Sequence, residues 1–135
     1  MNLHHIGIVS QDLETALKTF QLDESQIIES IIDEEQHNEL FFIKFLDSKF
    51  ILEIVVPIDS TSTVATFASR QKVNLHHLAF ATNSITYATS KHKEINGHFE
   101  LGKYQINVEA FGGKVATSFI YANGTIIEYV ENVNR

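Results

Sequence analysis

Two histidine pairs and two glutamates carry most of the chemistry this sequence can perform. His4-His5 and His76-His77 each open an apolar run, and Glu53 and Glu128 each sit inside one, in ILEIV and IIEYV. Imidazole and carboxylate together suit a divalent ion of intermediate hardness, Zn, Ni, Co, Mn or Fe(II), in a five- or six-coordinate site that keeps positions for water or substrate. Taken singly, each of these residues reads as the wet face of a strand or a satisfied core group. Their spacing argues otherwise. LHHIGIVSQDLETA at residues 3–16 lines up with LHHLAFATNSITYA at residues 75–88, an offset of 72, and ILEIV at 51–55 lines up with IIEYV at 126–130, an offset of 75. Each copy of the repeat thus carries one histidine pair and one glutamate at equivalent places. Charge inside apolar strands is costly to bury unless it is paired or bound to a cation, so four groups meeting near a pseudo-two-fold axis make sense as metal ligands. Strand alternation sends the two members of each histidine pair to opposite faces and leaves open which one faces the site.

The elements that must position these groups follow from periodicity. Residues 3–9 read as a strand, Ser10 as a helix N-cap, and Leu13, Ala16, Leu17 and Phe20 as one face of a helix. Strands follow at residues 26–33, 39–46 and 49–56, the last two flanking an Asp47-Ser48 turn, and Pro57 closes the third. Residues 59–73, with Val64, Phe67 and Ala68 at helical spacing, form a helical linker. The order then repeats: a strand over 75–81, an Asn83 cap, and a helix with Ile85, Ala88, His92 and Ile95 on one face. A short strand over 98–101, a loop holding Gly112-Gly113, a strand over 114–122, an Asn123-Gly124 turn and a strand over 125–130 complete the chain. The reading is α+β: β-α-β-β-β modules at 1–58 and 74–135 in one compact domain. Because a helix covers only one face of each small sheet, the modules are expected to pack together as a curved, barrel-like mixed sheet around the metal site.

Composition narrows the function classes. In 135 residues, 10 Lys and Arg face 17 Asp and Glu, for a net charge of −7, with 44% apolar and 20% charged residues. That is enough apolar material for a real core, and the acidic balance argues against general nucleic-acid or anionic-membrane binding. The chain has no cysteine, so thiolate ligands, disulfides and cysteine nucleophiles are excluded. No run of 18 apolar residues and no leader-like segment is read, which gives the expectation of a soluble, cytoplasmic protein. The run Asp33-Glu34-Glu35 reads as solvated surface, His92 as packed, Lys114 as a solvated lysine, and Gly112-Gly113 as a turn needing positive φ.

These motifs resemble the vicinal oxygen chelate superfamily of glyoxalases, methylmalonyl-CoA epimerases, extradiol dioxygenases and bleomycin-binding proteins, over nearly the whole chain. LHHIGIVSQDLETAL looks like the opening strand and helix of the epimerase-like branch, and ILEIVVP, LHHLAFAT and GTIIEYVE are similar to its other ligand strands. The resemblance selects His5, Glu53, His77 and Glu128 as the metal set. It implies a divalent-metal epimerase or lyase that removes a proton α to a carbonyl of an acyl-CoA thioester or 2-oxo compound, expected as a homodimer. Glu128, or Glu39 at the start of the third strand, would be the catalytic base. Tyr121-Ala122 stands where that branch commonly has His-Pro, and only Arg70 and Arg135 are available as arginines, which disfavours a glutathione-dependent reaction built on arginine forks. The alternative implied by the resemblance is a metal-free, drug-sequestering binding protein, to which the phenylalanines Phe41, Phe42, Phe45 and Phe119 would lend an aromatic interior.

Overall fold

The computed structural model describes residues 2–44 and 49–133, so the expected Asp47-Ser48 turn and Phe45 lie outside the described residues. Eight strands, β1 (Asn2–Ser10), β2 (Ile27–Asp33), β3 (Asn38–Lys44), β4 (Ile51–Pro57), β5 (Val73–Ala81), β6 (Phe99–Val108), β7 (Gly113–Ala122) and β8 (Thr125–Asn132), follow the hydrogen-bonded order β2-β3-β4-β1-β5-β8-β7-β6. Short helices α1 (Leu13–Thr19), α2 (Ala65–Arg70) and α3 (Ile85–Ser90) complete an α+β fold with the expected double β-α-β-β-β order. The sheet is mixed, with β5 parallel to β8 and the other described pairs antiparallel. The chain divides into two compact units, Ile6–His76 and Met1–His5 with His77–Arg135.

In the unit Ile6–His76, α1 lays Ala16 and Leu17 on Ile8, Ile43, Leu52 and Ile54, with Ile6, Phe41 and Val56 packed around them. Burying each of these large aliphatic side chains stabilises the fold by about 1.5–3 kcal/mol. The register of β3 against β4 sets Phe42 directly opposite Glu53. Phe41, Ile43, Leu52, Ile54 and Val56 therefore share the helix-covered face, and Phe42 and Glu53 share the other.

The α1 N-cap is Asp12, not Ser10: its carboxylate accepts the Thr15 amide at 2.7 Å, while the Ser10 hydroxyl donates to the Asp12 carbonyl at 2.6 Å. Ser10 completes β1, two residues before the first free helical amides need a cap. The hydrogen bonds from Thr15 hold the Asp12 carboxyl below its ordinary value of 3.8. A depressed folded-state value means stability present above the unfolded value and lost as pH falls through the folded one. Asp12→Ala is therefore expected to lower Tm near pH 7, with the difference from the parent narrowing as the pH falls through the depressed Asp12 value, as melting curves across pH would show.

In the second unit, α3 and a following 3-10 turn, Lys91–Glu94, cover Ala88, Ile120, Ala122 and Tyr129, packed by Phe80, Ile85, Ile95 and Ile127. The N-cap here is Ser84, which accepts the Tyr87 amide, in place of the expected Asn83. A smaller cluster of Ala79, Val115 and Val130, flanked by Ile106 and Phe111, occupies the opposite face. The largest departure from the sequence reading is β6. It spans Phe99–Val108 and pairs along its length with β7, from Phe99↔Tyr121 to Val108↔Gly113, where a short strand and a loop were expected. As a terminal strand of the sheet it is largely exposed, with a bulge between Glu100 and Gly102 that breaks its alternation. Asn123 and Gly124, at φ 51° and 80°, make the tight turn between β7 and β8. That is the double positive φ of a type I′ hairpin.

Candidate metal centre

Strand parity settles which histidine of each pair takes the inner position. Ile6 and Ile8 of β1 pack on the α1 cluster, so His5 and Val9 belong to the alternate row. Phe80 of β5 packs under α3 while Ala79 joins the opposite cluster, which puts His77 in Ala79's row. On β8, Ile127 and Tyr129 face α3, and Glu128 and Val130 face away. His5, His77 and Glu128 are buried, at 0%, 6% and 5% exposure.

A His-Glu-His triad lies close together. His5 Nε2 is 3.2 Å from His77 Nε2, and Glu128 Oε1 is 2.9 Å from His5 Nε2 and 3.1 Å from His77 Nε2. Two imidazole nitrogens at 3.2 Å repel each other if both present lone pairs, and clash if both present protons. A proton or a cation between them resolves the conflict. Burial alone would push the Glu128 carboxyl up, but the charge of His5 and the hydrogen bonds from His5 and His77 outweigh it and hold the group well below the ordinary carboxylate range. Glu128 is thus an ionised carboxylate in a dry setting, stabilised by its two imidazole partners.

The donor set fits a divalent ion. With metal–nitrogen and metal–oxygen bonds of about 2.0–2.2 Å, adjacent ligand atoms of an octahedral site stand about 3.0 Å apart and those of a tetrahedral one about 3.4 Å apart. The triad's separations of 2.9, 3.1 and 3.2 Å fall in or near that range. Nitrogen and carboxylate donors without thiolate suit Zn, Ni, Co, Mn or Fe(II).

Aromatic rings wall the triad. Phe111 stacks on the His5 imidazole at 5.0 Å and 14°, Phe119 meets His77 edge-on at 5.3 Å, and the β7–β8 register sets Phe119 directly opposite Glu128. Phe111 ends a 3-10 turn, Glu109–Phe111, that Gly112 closes at φ 88° and Gly113 follows at φ 115°. The two glycines make the turn that the sequence suggested. Phe111 itself escaped the sequence reading, because its only signal was the glycine pair after it.

Strand parity and burial also place the remaining sequence candidates. Glu53 is buried at 7% exposure on β4, opposite Phe42. Glu39 pairs with Val56 and Ile32, which puts it on the other face of β3 from Phe42 and Glu53 and half exposed. A base working from Glu53's face cannot be Glu39. Lys114 is exposed, and His92 is buried with its Nε2 at 2.6 Å from the Tyr129 hydroxyl. Asp33 corrects the reading of residues 33–35 as solvated surface: it is 5% exposed, accepts the Gln36 backbone and side-chain N–H groups, and burial pushes its carboxyl above the ordinary value. The two oxygens of Asp33 close the turn before β3, which is why a charged residue is tolerated there.

The chain belongs to the Glyoxalase/Bleomycin resistance protein/Dioxygenase superfamily, whose family model matches residues 4–117. No curated protein sequence matches it. Among solved structures, it is similar to the methylmalonyl-CoA epimerase of Mycobacterium tuberculosis, with a TM-score of 0.74 and 20% identity over 97% of this chain and 87% of that one. It is also similar to a Streptomyces coelicolor methylmalonyl-CoA epimerase variant in complex with 2-nitronate-propionyl-CoA, with a TM-score of 0.76 and 19% identity over 98% of each chain. A hypothetical protein from Bacillus halodurans C-125 has a TM-score of 0.76 and 20% identity over 99% of this chain and 96% of that one. At such identities the likeness is one of fold. Among the described residues, no helix is long and apolar enough to cross a membrane.

Proposed function

We propose that this protein is a divalent-metal-dependent enzyme that removes and returns a proton α to the carbonyl of a small acyl-CoA thioester or oxo compound, in the manner of a methylmalonyl-CoA epimerase. The observation that carries the reading is the buried convergence of His5 Nε2, His77 Nε2 and Glu128 Oε1 within 3.2 Å. His5, His77 and Glu128 would hold the ion, with Glu53, the repeat partner of Glu128 and itself buried, as a fourth ligand. The ion, when bound, polarises the substrate carbonyl and so acidifies the proton beside it.

The chain's own residues do the rest. Glu128, ionised and dry, is the carboxylate base: one oxygen sits in the triad and the other accepts and returns the α proton. Phe111 and Phe119 wall the triad with apolar surface, which keeps bulk water away from the reacting carboxylate. The acyl-CoA reading draws on the fold shared with the epimerases, and the cysteine-free composition suits a reducing compartment such as the cytoplasm. The test is deuterium incorporation from solvent at the carbon between the two carbonyl groups of methylmalonyl-CoA, alongside metal analysis. Stoichiometric divalent metal is expected, with exchange that stops in chelator and returns with Co, Ni or Mn. A protein that holds only trace metal, and exchanges no deuterium in excess metal, would overturn the reading.

A further inference from the structure

The two halves hold their inner imidazoles differently. At repeat-equivalent positions, His76 packs its ring edge-on against Phe67 at 4.8 Å and 86°, whereas His4 brings its Nδ1 to 2.9 Å from Nδ1 of His5. Phe111 holds this second arrangement: it meets the His4 ring edge-on at 4.5 Å and 77°, and stacks on His5.

A nitrogen-to-nitrogen contact of 2.9 Å is a hydrogen bond with one proton in it, and the site decides which ring owns that proton. His5 Nε2 must present a lone pair to serve as a ligand. Its single neutral-state proton then lies on Nδ1, a donor, and Nδ1 of His4 must be the acceptor, with the His4 proton on its Nε2. From this geometry we infer that His4 is a positioning residue: it accepts the His5 Nδ1–H, so that Nε2 is the nitrogen His5 offers to a metal, and with Phe111 sets the angle of the ring toward Glu128 and His77. Ligand imidazoles commonly donate their outer N–H to a carboxylate, a carbonyl or water. Here a second imidazole takes that place, and it explains why the His-His doublet of the first half is functionally unlike that of the second. The inference rests on the proposed metal reading for its purpose, but not for its measurement.

The experiment uses protein labelled with 15N at histidine, with Zn(II) as the probe metal. In the Zn-loaded wild-type protein at about pH 8, His5 is expected to show a protonated Nδ1, an Nε2 that carries no proton, and a 15N–15N coupling across the hydrogen bond to His4 Nδ1; in the metal-free protein, where Nε2 donates to Glu128, the Nδ1 proton and the coupling are expected to remain. His4→Phe, which keeps a ring for Phe111 but removes the acceptor, is expected to weaken Zn binding by about 10–100-fold in chelator competition. His4→Asn, whose amide oxygen accepts, is expected to recover most of that loss. A His5 whose Nδ1 carries no proton in either form, or a folded His4→Phe that binds Zn as tightly as wild type, would overturn the assignment. Wild-type protein that shows the coupling but binds no Zn would overturn the metal reading and leave the His4–His5 assignment standing.

Discussion

Replacing His77 with alanine is expected to weaken divalent-metal binding by at least about 100-fold, beyond the loss typical of an outer-shell partner. Its Nε2 is one corner of a triangle whose other corners, His5 Nε2 and Glu128 Oε1, lie at 3.2 and 3.1 Å. The adjacent inner residue in its row, Ala79, is apolar and fully buried and offers no donor in its place. At a fixed excess of Zn, a 100-fold weaker site forfeits about 2.7 kcal/mol of ligand-linked stability. The melting shift on adding Zn, large in the parent, should nearly vanish. The metal-free variant should also be weaker than its parent, by about 1.5–3 kcal/mol, because Glu128 loses a hydrogen bond to an ionised, buried group. Thermal or urea melts with and without Zn read both effects. An unchanged Zn-induced shift would remove His77 from the site.

Much of this architecture is written in the chain at short range, and the reason is physical. The β-α-β-β-β order could be read twice because apolar periodicity switches from two to about three and a half and back within each half, and the halves repeat. Glu53 and Glu128 stand out because a carboxylate between Ile and Val has to be explained. Where the reading slipped, the deciding interaction was not local. Ser10 and Asn83 are chemically good caps, but the strand before α1 runs on to Ser10, and Asp12 and Ser84 hold the first amides instead. β6 was only partly hidden: Tyr104, Ile106 and Val108 alternate with exposed polar residues, but the bulge between Glu100 and Gly102 breaks the phase with Phe99 and Leu101, so a continuous Phe99–Val108 strand shows only in its pairing with β7. Its apolar residues Phe99 and Leu101 are in fact exposed.

The site shows the same division. Alternation alone left His4 against His5 and His76 against His77 undecided, and only the packing of Ile8 under α1 and of Phe80 under α3 resolves the phase. Glu39 shows how a one-residue step matters. It was a reasonable base by position, yet the register that sets Phe42 against Glu53 turns Glu39 to the other face. Phe111 was out of reach altogether, since its place over His4 and His5 depends on the turn that Gly112 and Gly113 allow.

Glu128→Gln separates the electrostatic role of the carboxylate from its shape. The amide is nearly isosteric, still accepts from His5, and removes only the charge and the basicity. Proton exchange at the substrate carbon is expected to fall by about 10²–10⁴-fold, the usual contribution of a positioned general base, and metal affinity should drop with the lost anionic ligand. The pH dependence of the metal-free protein gives a second, independent readout. Glu128 has a folded-state value depressed below the ordinary carboxylate value by the His5 charge and by the hydrogen bonds from His5 and His77, which outweigh burial. A depressed carboxylate contributes stability that is fully present above the unfolded value and is lost as pH falls through the folded one. Wild type should therefore melt above Glu128→Gln near pH 7, and the two curves should converge in strong acid, where a protonated glutamate and a glutamine are electrostatically alike. A gap that persists or widens on acidification would mean that the imidazoles do not hold Glu128 as an anion, and the triad would lose its claim to be a preformed cation site.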